Sequence, residues 1–477
     1  MKKDICDKTM NFQECELAII RTAIDKAEEK QGKKVANSPE IKRIIAIAEK
    51  FIKDKGLVCY GGTAINNILP KYDQFYNSEV EIPDYDFFSP NALEDAKELV
   101  DIYVKEEFIE VEAKSGQHHG TYKVFVNFIP VADITSMHKD LYDAIKTQSI
   151  RVAGIYYAPP NYLRMAMYLE LSRPAGDVER WEKVLKRITL LNKHFPLKAD
   201  DCDHVKFQRE MAENNKVAVD TIYETIRNTF IDQGVVFFGG YANLLYSRYM
   251  PYKLRKQLKR VPDFDVLSEE PEKTAEILKE RLADIKVKNV KIVRQPGVGE
   301  IIAPNYEIRI GKDTVAFIYE PMACHSYNVI KIDEADVKVA TIDTMLSFYL
   351  AFLYANRPYY DKKRILCMSA FLFEVQQQNR LKQHGLLKRF SINCYGHQET
   401  VEEMRAKKAE KYKELKGDRN NKEYEEWFLR YRPSDKNIDK DTDKKKRAKI
   451  SRKRKNTQRK TKKNNGNSGN SGKWFQL

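Results

Sequence analysis

Long apolar runs are missing from this 477-residue chain. The longest uncharged stretches, residues 233–247 and 344–356, fall short of the roughly 20 residues a spanning helix needs, and Gly239, Gly240 and Asn243 break the first. Cysteine is sparse: seven residues, an odd number, with no CxxC pair. That usage speaks against a disulfide scaffold or a zinc ribbon and leads to the expectation of reduced thiols. No secretory leader is expected either, because charges run through MKKDICDKTMNFQECE where its apolar core would lie. A soluble, intracellular, non-secreted protein without a membrane partner is expected. With 42% apolar and 32% charged residues, the length suits roughly two to four domains, each with its own core.

Positive charge is plentiful, but it sits in one place. Residues 444–463 carry thirteen Lys or Arg and no acid, and with Lys473 they account for nearly all of the net +15. This run continues into NNGNSGNSG and has little apolar surface to bury, so 436–477 is expected to be a disordered basic tail. Such a tail binds RNA or DNA by releasing counterions; a solubilising or import-like run is the competing reading.

The rest of the chain repeats itself. Ser38 and Pro39 open a helix whose Ile41, Ile44, Ile45, Ala48 and Ile52 recur at helical spacing, and Gly56 stops it. A short apolar strand, 57–60, then runs into Gly61-Gly62. An offset of 178 places Gly234, Gly239 and Gly240 in the same roles after a second amphipathic helix, 219–230. Ile82-Pro83-Asp84-Tyr85-Asp86-Phe87 answers Val261-Pro262-Asp263-Phe264-Asp265-Val266, and 122–134 lies against 306–318 at an offset of 184 without a gap. Arg173, Pro174 and Arg180 match Arg357, Pro358 and Arg364 at the same offset. Two copies of one α/β module follow, about 38–196 and 217–380.

Chemistry gathers in the first copy. Side chains two apart on a strand share a face, so Asp84 and Asp86 project together while Tyr85 and Phe87 face a core. Paired carboxylates repel unless a cation neutralises them, which suits a divalent metal. Asp133 sits alone in the apolar strand Val131-Ala132-Asp133-Ile134, where an acid without a partner is costly. Three converging acids can hold two Mg²⁺ or Mn²⁺ ions for in-line displacement at phosphorus. Gly61-Gly62, with a helix beginning near Thr63, lets backbone approach a triphosphate at a helix N-terminus. Singly, each piece has a plainer reading: a turn, a solvated edge pair, a satisfied core acid. The ordered set is far more specific.

That set resembles the nucleotidyltransferase superfamily of DNA polymerase β type, in the version found in viral poly(A) polymerase catalytic subunits of giant viruses and poxviruses. The resemblance spans about 38–380. It implies an α+β fold of two tandem nucleotidyltransferase-like modules, each a mixed sheet plus helices, with a degenerate second module, helical extensions and the basic tail. The expected division is an N-terminal helical cap (1–37, with an amphipathic helix over 11–29), a catalytic module (38–200), the degenerate module (201–385), a charged helical extension (386–435) and the tail. The resemblance further implies template-independent transfer of AMP from ATP to RNA 3′ ends, with metal ions at Asp84, Asp86 and Asp133. A homodimer, and a site of action in the virion or host cytoplasm, come with it. A non-RNA acceptor, or a pseudo-transferase acting as an RNA-binding subunit, are the alternatives.

Carrying the offset of 184, Asp133 falls on Phe317 and Lys183 on Cys367, so the second copy keeps Asp263 and Asp265 but lacks the third acid. Nucleotide-binding candidates in the first copy are Gly61, Gly62, Thr63, Arg180, Lys183 and Tyr162. Arg164, Arg173 and Lys186 share those helices, and Tyr156, Tyr157 or Tyr162 could stack a base or simply pack in the core. Lys253, Arg255, Lys256, Lys259 and Arg260 form a basic stretch that either tracks RNA phosphates or is a solvated loop. His118-His119 reads as a hairpin turn.

Overall fold

The computed structural model describes residues 5–6, 9–77, 79–212, 217–250, 255, 258–419 and 421–433. The expected tail, Lys253 and Lys256 lie outside the described residues. The chain opens with helices α1 (Phe12–Ala36) and α2 (Pro39–Lys55), strand β1 (Val58–Cys59) and helix α3 (Gly61–Ile68). It continues through β2 (Tyr85–Ser89), α4 (Ala92–Lys105), β3 (Val111–Ser115), β4 (Thr121–Val126), β5 (Ile129–Ser136), α5 (Lys139–Thr147), β6 (Ile150–Val152) and β7 (Ile155–Tyr157). Helices α6 (Pro160–Leu171) and α7 (Trp181–His194) close this half.

The second half repeats the pattern with α8 (Val219–Asp232), β8 (Val236–Phe238), α9 (Gly239–Tyr246), β9 (Phe264–Leu267), α10 (Pro271–Asp284), β10 (Val290–Gln295), β11 (Asn305–Ile310), β12 (Asp313–Tyr319), β13 (His325–Ile332) and β14 (Ala335–Ala340). Helices α11 (Ile342–Phe352) and α12 (Lys362–Gln378) follow, then β15 (Cys394–Tyr395), α13 (Val401–Leu415), α14 (Lys422–Phe428) and β16 (Arg430–Tyr431). The fold is α+β with two mixed sheets. Their strand orders are β16-β3-β4-β5-β2-β1-β7-β6 and β10-β11-β12-β9-β8-β14-β13-β15. Setting the edge strands β16 and β15 aside, the two orders correspond strand for strand.

Local chemistry explains the elements that open each half. Ser38 caps α2 by accepting from the Ile41 amide, Pro39 starts it, and Gly56 ends it at φ 59°, a left-handed conformation that costs glycine little. Helix α2 buries Ile41, Ile44, Ala48, Phe51 and Ile52. Together with α4 it packs on one face of the first sheet. Strand β4 shows the consequence: Tyr122, Val124 and Val126 are buried, whereas Thr121, Lys123 and Phe125 are half-exposed on the other face. Helix α6 packs on α11 where the halves meet, and there the Tyr162 and Tyr354 rings lie edge to face at 5.5 Å.

Three features differ from expectation. Cysteines do pair: Cys6 with Cys15, Cys202 with Cys367, and Cys324 with Cys394, leaving Cys59 buried and free. The last two pairs lie 165 and 70 residues apart, a proximity no local spacing reports. Helix α1 forms with an Asn11–Glu14 capping box but runs to Ala36, the one residue it buries; Phe12, Leu17 and Ile20 stay exposed. The charged extension is not wholly helical, because β16 returns to the first half and pairs antiparallel with β3. Two-residue strands carry too short a pattern to be read from sequence. Lys97 to Glu425 at 2.6 Å and Tyr431 to Asp101 at 2.9 Å fix that return.

Candidate active site

Strands β2 and β5 run parallel, and their register sets Asp86 directly opposite Asp133. Neighbouring strands lie about 4.8 Å apart, so the two carboxylates leave the same face of the sheet side by side. Asp84 joins them from just before β2, its carbonyl accepting from the Thr63 hydroxyl at 2.6 Å. The sheet therefore brings the three sequence-predicted acids together. All three line a cleft of about 1220 Å³, along with Gly61, Gly62 and Lys123.

Electrostatics in the cleft is strained. Burial, then the charges of Asp84 and Asp133, push Asp86 up to about 7; burial and the Asp133 charge raise Asp84 as well. Lys123, opposite Asp133 on β4, turns its ammonium onto one carboxylate oxygen, while the other, Oδ1, is buried without a hydrogen-bond partner. Among the described residues, no three such side chains are drawn in to ligand geometry. The donor set nonetheless fits a hard divalent cation: oxygen ligands only, one of them buried and unpartnered, beside a glycine whose Cβ would come within 2.7 Å of Asp86 Oδ2.

A pH dependence follows. The folded value of Asp86, near 7, exceeds its ordinary 3.8, so the folded chain holds a proton that the unfolded chain releases. Ionised Asp86 costs stability above pH 7, and that cost is relieved as pH falls from about 7 to about 4. In EDTA, the melting temperature of the natural chain should gain on that of Asp86→Asn between pH 8 and pH 5; parallel profiles would contradict it.

The glycine turn lies at the other side of the cleft. Gly61, at φ 72°, opens α3 directly, two residues earlier than the sequence suggests, and no side chain caps the helix start. A Cβ on Gly62 would stand 2.5 Å from the Tyr76 hydroxyl and 2.8 Å from Arg187 Nη2. Arg187 donates to that hydroxyl at 2.6 Å. Arg180, Lys183 and Arg187 all line the cleft. Sequence reasoning missed Arg187 and Tyr76. The i, i+3, i+7 spacing of Arg180, Lys183 and Arg187 marks one helix face and was the available clue.

Other candidates take different places. The Thr63 hydroxyl is held by the Asp84 carbonyl. Tyr162 lines the cleft but is buried edge-on between Phe88 and Tyr354. Tyr157 lines it as well, its hydroxyl accepting from Asn67 at 2.9 Å, whereas Tyr156 is not among the lining residues. Arg164 is a core residue: its guanidinium donates to Asn192 Oδ1 at 2.7 Å and also to Asn161 Oδ1 and the Phe195 carbonyl. Arg173 is half-buried where the halves meet, and Lys186 pairs with Glu182. His118 lines the cleft from the β3–β4 hairpin, and His119 packs on Trp427 at 4.3 Å. None of the described members of the basic stretch lines it. Arg255 donates to the Met250 and Arg248 carbonyls, Lys259 faces Glu210, and Arg260 lies over the Tyr223 ring.

The second sheet carries a counterpart that is closed. Asp265 stands opposite Phe317 in the matching parallel register. Arg209, from the segment between the halves, lays its guanidinium on both remaining acids: 2.5 Å to Asp263 and 3.0 Å to Asp265. Its backbone amide donates to Asp263 Oδ2 at 3.0 Å, and its guanidinium sits 4.6 Å from the Phe317 ring centre. Burial opposes this charge, but Asp263 and Asp265 outweigh it and hold Arg209 above its ordinary value. Nothing in the sequence around Arg209 singled it out.

Comparison with known proteins agrees with the first half. Residues 46–177 match the family model for the poly(A) polymerase catalytic subunit. A protein of African swine fever virus assigned as a poly(A) polymerase catalytic subunit is 34% identical over 171 residues, 35% of this chain and 36% of that protein. Its counterpart from Acanthamoeba polyphaga mimivirus is 33% identical over 170 residues, 34% of this chain and 28% of that protein. The chain thus spans about a third of the length of the curated relatives it matches. The crystal structure of the Megavirus polyadenylate synthase shares the fold across both halves, with a TM-score of 0.72 and 21% identity over 87% of this chain and 86% of that one. The resemblance to viral poly(A) polymerases is borne out by these matches.

Proposed function

We propose that the chain is a template-independent polynucleotide adenylyltransferase that adds AMP from ATP to RNA 3′ ends. The observation that carries this is the in-register pair Asp86 and Asp133, joined by Asp84 on the open face of the first sheet. In this reading 38–200 is the catalytic module and 201–385 a degenerate copy that supports it. The RNA 3′-oxygen attacks the α-phosphorus of ATP, forming a phosphodiester as the bond to pyrophosphate breaks. Asp84, Asp86 and Asp133 would hold two Mg²⁺ or Mn²⁺ ions, which supply charge neutralisation and a more acidic 3′-hydroxyl when bound. The Gly61-Gly62 turn and the N-terminus of α3 receive the triphosphate, with Arg180, Lys183 and Arg187 as counter-charges. The basic run beyond Lys444 adds affinity for RNA.

Preference for ATP is taken from the relatives. The test is to incubate the chain with a short labelled RNA and each of the four nucleoside triphosphates, with Mg²⁺, Mn²⁺ or EDTA. Elongation with ATP that EDTA abolishes is expected. Failure to elongate RNA with any nucleotide, in either metal, rejects the reading, and labelling of a different acceptor would redirect it.

A further inference from the structure

Backbone pairing lines up five residues across the first sheet. Asp86 faces Asp133, Asp133 faces Lys123, Lys123 faces Lys114, and Lys114 faces Arg430 on β16. Residues directly opposite in paired strands share a face, so this is one row on the open side of the sheet. It begins at the carboxylates and ends at the strand that the C-terminal extension contributes. At about 4.8 Å per strand, Arg430 lies about 14 Å from Asp133 along the row.

We propose that this row is the track for the 3′-terminal segment of the acceptor RNA, with Lys123, Lys114 and Arg430 taking successive backbone phosphates upstream of the reacting hydroxyl. The proposal rests on the adenylyltransferase reading and names the surface that serves it. Three further observations support it. Alternate β4 residues Thr121, Lys123 and Phe125 are half-exposed, and Phe125 lies under the Lys114 ammonium at 5.1 Å, so the face offers an aromatic ring among cations. Arg432 flanks the row, sharing Glu112 with Lys114, so that carboxylate answers two of the cations while Arg430 stays exposed. The second sheet is the internal comparison: its equivalent row reads Asp265, Phe317, Glu307, Val293, with no cation in it. Where the carboxylate site has closed, the row offers acids and apolar side chains in place of the cations. Lys123 has a double place: it rests on Asp133 here, and its ammonium would be free for RNA where a divalent cation held that carboxylate instead.

Lys114 and Arg430 touch no reacting group, so they separate binding from chemistry. Anisotropy with a fluorescein-labelled 15-nucleotide RNA should show Lys114→Gln/Arg430→Gln binding about 5- to 20-fold more weakly, with a log–log salt slope shallower by about 1.4, the share of two single-strand phosphate contacts. KM for RNA should rise, with kcat at saturating RNA and KM for ATP within about two-fold. Unchanged affinity and slope in a chain that elongates RNA overturn the track alone; absence of elongation by the natural chain overturns the functional reading itself. Lys114→Arg/Arg430→Lys should restore binding. As a check that needs no variant, 4-thiouridine near the RNA 3′ end should cross-link to peptides of β3 and β4; adducts confined to other surfaces would also overturn the track.

Discussion

Exchange of Asp133 for asparagine is expected to lower the rate of AMP addition at least about 10³-fold while leaving the fold intact. The amide keeps the shape but removes a full negative charge from the place where cations must gather. Several kcal/mol of charge stabilisation depend on that ligand, and each 1.36 kcal/mol is a factor of ten. The structure makes the loss specific to chemistry. Asp133 Oδ1 has no hydrogen-bond partner, and its other oxygen meets only the half-exposed Lys123, so little folding energy is at stake. Single-turnover addition of one AMP to a labelled RNA is the measurement, with a melting curve beside it. A fall of less than ten-fold in a folded variant would remove Asp133 from the site.

Arg209→Met should instead act on stability. The guanidinium lies between the buried Asp263 and the half-buried Asp265, and its removal takes the paired cation from both, leaving only the through-space charge of Arg364 on Asp265. Breaking a buried ion pair from one side typically costs about 3–5 kcal/mol, whereas replacing the whole set with neutral groups can be nearly harmless. Urea melts should therefore show a large loss for Arg209→Met, much of it recovered when Asp263→Asn and Asp265→Asn are added. A loss below about 1 kcal/mol, or no recovery, would show that the guanidinium does not hold the second half together. AMP addition by the folded fraction of Arg209→Met should match the natural chain.

Much of the site was legible because its parts obey short-range rules. Period-two strands put Asp84 beside Asp86, glycine after a strand opened a helix, and the gapless offset placed Phe317 where Asp133 should be, which the register Asp265–Phe317 reproduces. What escaped depends on contacts distant in the chain. Arg187 meets Tyr76 across 111 residues, Arg209 reaches Asp263 across 54, and Cys202 bonds Cys367 across 165. Losing a third acid does imply that some cation must answer the other two, but only the fold says which one. Which helix cations reach the cleft was hidden for a related reason, as Arg164 shows. An arginine on a helix near a presumed phosphate site looks functional, yet this one is satisfied by Asn192, Asn161 and a carbonyl inside the core. The basic stretch around Lys259 was open between an RNA track and a solvated loop, and its charge, clear from the sequence, did not say that its described members lie outside the lining of the cleft.

The claim beneath all of this is that one carboxylate site is open and its duplicate is shut. The most direct measurement is AMP addition by Asp86→Asn and Asp265→Asn, assayed side by side on the same RNA at a temperature where both are folded. The first should lose activity by about 10³-fold or more, and the second should stay within a few-fold of the natural chain. Equal losses, or a greater loss in Asp265→Asn, would contradict it.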